Sequence, residues 1–136
     1  MKEIEIIAEL ERLCFESCWN TSAIEAQIKS PCCVSVLWQE AGEAVGYALG
    51  NIVCDEAELY RIAVVPEMRK TGTGTKILQR FIADCKKRGA KKIFLEVRSR
   101  NIAAIGLYEK LGFQRIAIRK GYYGDDDALI YSLEKF

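Results

Sequence analysis

Apolar residues in this chain recur first at helical spacing, then in strand-like runs, and then in alternating strand and helix patterns. Ile4, Ile7, Leu10, Leu13 and Cys14 recur every three or four positions, so a helix is expected almost at once, with Phe15 and Trp19 at its end and just beyond. Asn20, Thr21 and Ser22 offer caps for a second helix through about Lys29, and Pro31 closes it. Cys32 to Gln39 and Ala44 to Val53 read as strands joined by the hairpin turn Glu40-Ala41-Gly42-Glu43. Asp55-Glu56 turns the chain into a third strand, Leu59 to Val65, apolar on both faces and therefore central in a sheet. Pro66 lacks a backbone donor and ends that strand.

The run RKTGTG, Arg69 to Gly74, follows and leads into an amphipathic helix carrying Ile77, Leu78, Phe81, Ile82 and Cys85. Gly89 is the natural cap of that helix, after Lys86, Lys87 and Arg88 at its negative dipole end. Ile93 to Val97 is a short strand, and Asn101 can cap a helix with Ala104, Leu107, Tyr108 and Leu111 on one face and Gly112 past its end. Phe113 to Ile118 and Ala128 to Leu133 are the last strands, with the polar loop 121–127 between them. Strand, helix and strand around the glycine loop imply a parallel pair with a right-handed crossover. The fold class expected is a mixed α/β sheet flanked by helices, forming a single domain over residues 1–136 with no repeat and no linker.

Ligands of such sheets bind beyond the C-terminal ends of the strands, where neighbours diverge. The glycine loop lies at that end, as do Glu96, Arg98 and Asn101 at the end of the next strand. Glycines there let backbone N–H groups approach a ligand, and the helix that follows aims its positive end at the same spot. With Arg69, Lys70 and Lys76 nearby, this reads as an anion site, most naturally for a phosphate. It is neither a Walker loop, since no lysine follows the second glycine directly, nor the dinucleotide fingerprint, since position 77 holds Ile. A glycine-rich turn with solvated lysines is the plainer alternative.

Composition narrows the chemistry. The 136 residues are half apolar and 29% charged, which is globular, and a net charge of +1 argues against nucleic acid as a partner. No apolar run reaches the roughly 18 residues that span a bilayer, and no signal-peptide pattern opens the chain, so a cytoplasmic location without membrane attachment is expected. Six cysteines occur without a CxxC, and histidine is absent, so no metal is expected and the thiols read as reduced and mostly buried. Cys32 and Cys33 would face opposite sides of a strand. Without histidine, acid–base chemistry has to use carboxylate, tyrosine, cysteine or lysine.

The chain resembles the GNAT acetyltransferases, whose phosphate signature R/Q-x-x-G-x-G/A is matched by Arg69, Gly72 and Gly74. More narrowly it resembles the ribosomal-protein alanine N-acetyltransferases, the RimI type. The matching stretches are Phe15-x-x-x-Trp19, LYRIAVVPEMR, LEVRSRN at 95–101, AAIGLYEKLGF at 103–113 and RKGYYGDDDALIYSL at 119–133. The resemblance implies acetyl-CoA as co-substrate. It implies that the backbone of Ile62, Ala63 and Val64 pairs with the pantetheine arm, and that Arg69, Lys70, Thr71, Gly72, Thr73, Gly74 and Thr75 wrap the pyrophosphate. Asn101 would touch the cofactor, with Glu96 as general base and Tyr108 as general acid. One departure is that too few residues precede Ile4 for the strand that usually opens the family's fold, which leaves a sheet edge shorter.

The reaction so implied moves acetyl from acetyl-CoA to a protein N-terminal α-amine, in particular that of a ribosomal protein. An α-amine with a pKa near 8 is roughly a tenth neutral at pH 7, so a carboxylate acting directly or through water suffices as base. Partial burial of Glu96 in its apolar strand would raise its pKa toward a useful value. The plainer readings are a surface carboxylate for Glu96 and a core tyrosine for Tyr108. Asp55, Glu56 and Glu58 either face a basic acceptor peptide or are simply solvated. Two other functions remain open: acetyl transfer to lysine or a small amine, and a non-catalytic acyl-CoA-binding module.

Overall fold

Six strands form one mixed sheet in the order β1-β2-β3-β4-β6-β5 in the computed structural model, which describes residues 2–15 and 18–136. The elements are α1 (Glu3–Cys14), α2 (Thr21–Lys29), β1 (Cys33–Glu40), β2 (Glu43–Val53), β3 (Glu56–Val64), a single 3-10 turn (Pro66–Met68), α3 (Thr73–Lys87), β4 (Lys92–Arg98), α4 (Ile102–Lys110), β5 (Gln114–Arg119) and β6 (Ala128–Leu133). β3 and β4 are parallel and joined through α3; every other neighbouring pair is antiparallel. The α/β sheet flanked by helices is the class expected from the sequence. Among the described residues no strand precedes α1, and β1 is an edge strand. Among those residues, too, no helix is long and apolar enough to cross a membrane.

The two faces of β2 are divided by its period of two. Ala48 and Ile52 join the core under α3, while Val45, Tyr47 and Leu49 join the core under α1 and α2. α3 lies close on the sheet because β2 carries glycine where the helix crosses. A Cβ at Gly46 would come within 2.6 Å of Ile77 Cδ1, and one at Gly50 within 2.5 Å of Phe81 Cζ. The tight hairpin between β1 and β2 puts Ala41 and Gly42 at φ values of 52° and 81°, the two positive values of a type I′ turn.

Several sequence expectations shift. The turn before β3 is Cys54-Asp55, with Cys54 at a φ of 58°, and the strand begins at Glu56, three residues ahead of the expected start at Leu59. Helix α3 starts at Thr73, so Gly74 sits in its first turn instead of in the loop before it. Leu13 is 62% exposed, whereas Glu11, polar in the pattern, is 1% exposed: α1 turns the carboxylate inward because partners await it there. The cysteines are free, but of the six only Cys85 is buried; Cys18 and Cys54 are exposed and the other three are half-buried. Turns and the α1–α2 connection hold the exposed ones, where no layer covers them. Cys32 lies in the turn before β1, so the opposite-face argument does not apply to it.

Candidate active site

β3 and β4 pair from Glu56↔Lys92 to Leu59↔Leu95 and then part. Beyond that point β3 continues to pair with β2 through Val64, and β4 with β6 through Arg98. The gap so opened is a cavity of about 460 Å³, and Glu96, Asn101 and Tyr108 all line it. Tyr60, Arg61 and Ile62 form its β3 side, Phe15 approaches from the end of α1, and Tyr123 from the loop before β6.

The strand phase decides which backbone groups of β3 face this opening. Val65 N–H donates to the Val45 carbonyl at 2.9 Å, so Val65 and, two residues back, Ala63 turn their polar groups toward β2. Ile62 and Val64 therefore point theirs toward the open edge. Of the three residues expected to pair with an extended ligand, two are oriented for it and Ala63 is committed to the sheet. The Val64 carbonyl accepts from Arg69 Nε at 3.0 Å, so Arg69 folds back on this edge.

The open edge leads to the start of α3. Gly72 caps that helix at a φ of 87°, and Lys70 also has a positive φ, 63°, so the backbone alternates in hand as anion-binding nests do. Lys76 N–H takes the Gly72 carbonyl, and the N–H groups of Thr73, Gly74 and Thr75 stand ahead of the first helical bond. Thr71 Oγ1 donates to the Met68 carbonyl and lies 2.9 Å from Thr73 Oγ1, which knits the loop together. A Cβ at Gly74 would meet Leu107 Cδ2 at 3.5 Å and Val64 Cγ2 at 3.8 Å, so this glycine opens onto the space between α3, α4 and β3. Lys76, counted among the loop cations, instead reaches Glu40 at 3.7 Å.

Tyr108 is 6% exposed, packs its ring 5.9 Å from that of Phe113, and is pushed up to about 12 by burial. No hydrogen bond to its hydroxyl is found among the described residues, and the residue lines the cavity. Asn101 caps α4, its Oδ1 accepting from Ala104 N–H at 3.2 Å. Glu96 is exposed, so the partial burial expected of it is not found. The carboxyl that is raised by burial, and next by the charge of Glu96, is Glu58 on the neighbouring strand.

Two groups escaped sequence reasoning. Arg61 pairs with buried Glu11 at 2.9 Å and lays its guanidinium 4.1 Å from the Phe15 ring centroid. Asp126 is buried, accepts from Ser99 Oγ and, at 2.8 Å, from Asp127 N–H, and so ties the loop 121–127 to the end of β4. That tie brings Tyr123, under the Arg98 guanidinium at 4.1 Å, to the cavity, while Tyr122 is 55% exposed. The triple Asp125-Asp126-Asp127 was the only available signal, and it reads as solvated loop.

Residues 4–113 match the acetyltransferase (GNAT) family. The chain is 43% identical over 96 residues to the ribosomal protein bS18-alanine N-acetyltransferase of Escherichia coli K12, covering 68% of this chain and 65% of that enzyme. The match thus spans slightly less than two thirds of that relative's length. The Bacillus subtilis candidate for the same activity is 34% identical over 133 residues, 96% of this chain and 88% of that protein. The crystal structure of the Escherichia coli ribosomal-protein-S18-alanine N-acetyltransferase superposes with a TM-score of 0.89 at 31% identity, covering 98% of this chain and 89% of that one.

Proposed function

This chain belongs to the acetyltransferase (GNAT) family, and on that premise we propose that it moves an acetyl group from acetyl-CoA to the N-terminal α-amine of a protein, in particular a ribosomal protein. The observation that carries this reading is one continuous surface. It runs from the α3 N-terminus, along the open edge of β3, to the cavity where Glu96, Asn101 and Tyr108 meet. The residues present fit acetyl-CoA along that path. The N–H groups of Thr73 to Thr75, with Lys70 nearby and no side chain at Gly74, suit a pyrophosphate. Ile62 and the N–H of Val64, whose carbonyl already accepts from Arg69, offer strand-like pairing to a pantetheine arm, and Asn101 stands where that arm would end.

In this reading the acceptor nitrogen attacks the thioester carbonyl carbon, a C–N bond forms and the C–S bond breaks. Glu96, directly or through water, takes the proton that the nitrogen loses. Tyr108 gives its phenol proton to the departing sulfur. Burial keeps that phenol protonated far above neutral pH, so the donor is present in essentially every molecule. The ribosomal acceptor is supported by the activity of the Escherichia coli relative, an alanine N-acetyltransferase of ribosomal protein bS18. The test offers one peptide with a free N-terminus and no lysine, and another with a blocked N-terminus and one lysine, and follows free thiol released from acetyl-CoA. Thiol release with the first is expected. Preference for the blocked peptide would favour a lysine acceptor, and release with neither would favour a binding module.

A further inference from the structure

Glu11 is 1% exposed, and nothing in the proposed chemistry uses it. A buried carboxylate persists only with partners, and its two oxygens collect them from three other parts of the chain. Oε1 accepts from Tyr47 OH on β2; Oε2 accepts from Trp19 N–H at 2.8 Å and from Arg61 Nη2 at 2.9 Å on β3. The Arg61 guanidinium in turn lies 4.1 Å from the Phe15 ring centroid and 5.4 Å from that of Trp19. The Trp19 ring stands 6.4 Å from that of Tyr60. Phe15, Tyr60 and Arg61 all line the cavity.

We propose that Glu11, acting through Arg61, is a positioning residue for the acceptor: the pair fixes Phe15, which lines the amine cavity, and Trp19 beside it as one wall of that cavity. Of the described residues of the connection between α1 and α2, Phe15 is held by its N–H to the Glu11 carbonyl at 3.1 Å and Asn20 by its carbonyl, which accepts from Ile24 N–H at 3.1 Å, so it is Trp19 between them that side chains have to locate. The carboxylate does so by holding Trp19 N–H, and the guanidinium by lying against both rings. Only a planar guanidinium can donate in its plane and present its face to an aromatic ring at once. A buried ion pair is weak as a source of stability but well suited to registering separate elements. Its consequence here is selectivity: an acceptor long enough to touch the wall depends on the pair, and a very short one depends on it less.

This rests on the proposed peptide acceptor. Wild type, Glu11→Gln and Arg61→Lys are compared on a hexapeptide with a free N-terminus and on alaninamide. Acetyl-CoA affinity by calorimetry and thermal unfolding serve as controls. In both variants KM for the hexapeptide is expected to rise about tenfold, with kcat within about threefold and the loss in kcat/KM at least about fivefold smaller on alaninamide. Acetyl-CoA affinity is expected to stay within about twofold. Should Glu11→Gln fail to fold, Arg61→Lys, which keeps the charge, decides. Equal losses on both acceptors, a loss in kcat alone, an unchanged KM, or an equal collapse of acetyl-CoA binding would each overturn the inference and leave the proposed function standing. A wild-type enzyme inert on the hexapeptide would overturn both.

Discussion

Leu59 of β3 and Leu95 of β4 are the last register partners of the parallel pair, and the next residue on each strand, Tyr60 and Glu96, lines the cavity. The two leucines are buried in the core beneath α3, so the sheet is closed and apolar up to that pair. Past it, β3 keeps β2 and β4 keeps β6, and the lost ladder leaves backbone groups of β3 to a ligand. A single register boundary thus separates the part of the sheet that holds the fold from the part that can do chemistry.

Tyr108→Phe keeps the ring and its contact with Phe113 but removes the only proton that side chain can give. Turnover is expected to fall about 10²–10⁴-fold with acetyl-CoA affinity little changed. Steady-state kinetics beside calorimetry checks this, and full turnover would return the tyrosine to the core.

Glu96→Gln is expected to give a comparable loss, largest at low pH, where little of the amine arrives neutral, and partly restored as pH rises. A pH–rate profile measures it. A defect independent of pH would mean that Glu96 positions the acceptor instead of taking its proton.

Gly72 at the cap of α3 and Gly74 in its first turn should separate on substitution. Gly74→Ala meets nothing closer than 3.5 Å in the protein, so the fold should keep its Tm while acetyl-CoA affinity drops about tenfold, or about 1.4 kcal/mol. Gly72→Ala meets no atom within 4 Å but sits at a φ of 87°, and is expected to lose about 1 kcal/mol of stability. Calorimetry and thermal unfolding distinguish the two effects. A Gly74→Ala protein with unaltered affinity would remove the helix start from the ligand path.

At Gly50 a methyl group would lie 2.3 Å from the Glu58 carbonyl oxygen and 2.5 Å from Phe81 Cζ. Gly50→Ala should force α3 off the sheet and cost about 1–3 kcal/mol, read as a lowered midpoint in urea unfolding. A wild-type midpoint would mean that α3 rides higher than the contacts indicate.

Asp126 is held below the ordinary carboxylate value, first by the hydrogen bond from Ser99. Its folded pKa is lower than its unfolded one, so the stability it contributes is present above the unfolded value, near 3.9, and is lost as pH falls through the folded value. Asp126→Asn should therefore lower Tm at neutral pH, and the gap to wild type should close as pH drops below about 4. A gap that is constant with pH would assign the loop's anchoring to something other than this charge.

Much of the fold was legible because the signals were local. Asn20 and Asn101 do cap α2 and α4, accepting from Ala23 and Ala104 N–H, and Pro66 does end the central strand. The glycine pair marked the loop at α3 correctly, although Gly74 joined the helix. Glu96, Asn101 and Tyr108 were singled out and do share one cavity. Legibility failed where the answer depended on what another element brought near. Glu11 interrupts an apolar stripe, and only the approach of Tyr47, Arg61 and Trp19 makes its burial tolerable.

The sequence by itself determined the order of elements, the turns and the glycine-bearing loop before α3, because each rests on φ preferences, missing donors and periodicity within a few residues. Only the tertiary structure decided that Ile62 and Val64, not Ala63, face the opening, since strand phase is set by register with β2 and a one-residue slip would invert it. It likewise decided that Glu96 stays exposed while Tyr108 is buried, and that Tyr123 reaches the cavity where Tyr122 does not. Burial and orientation are properties of packing between distant segments, and no local pattern carries them.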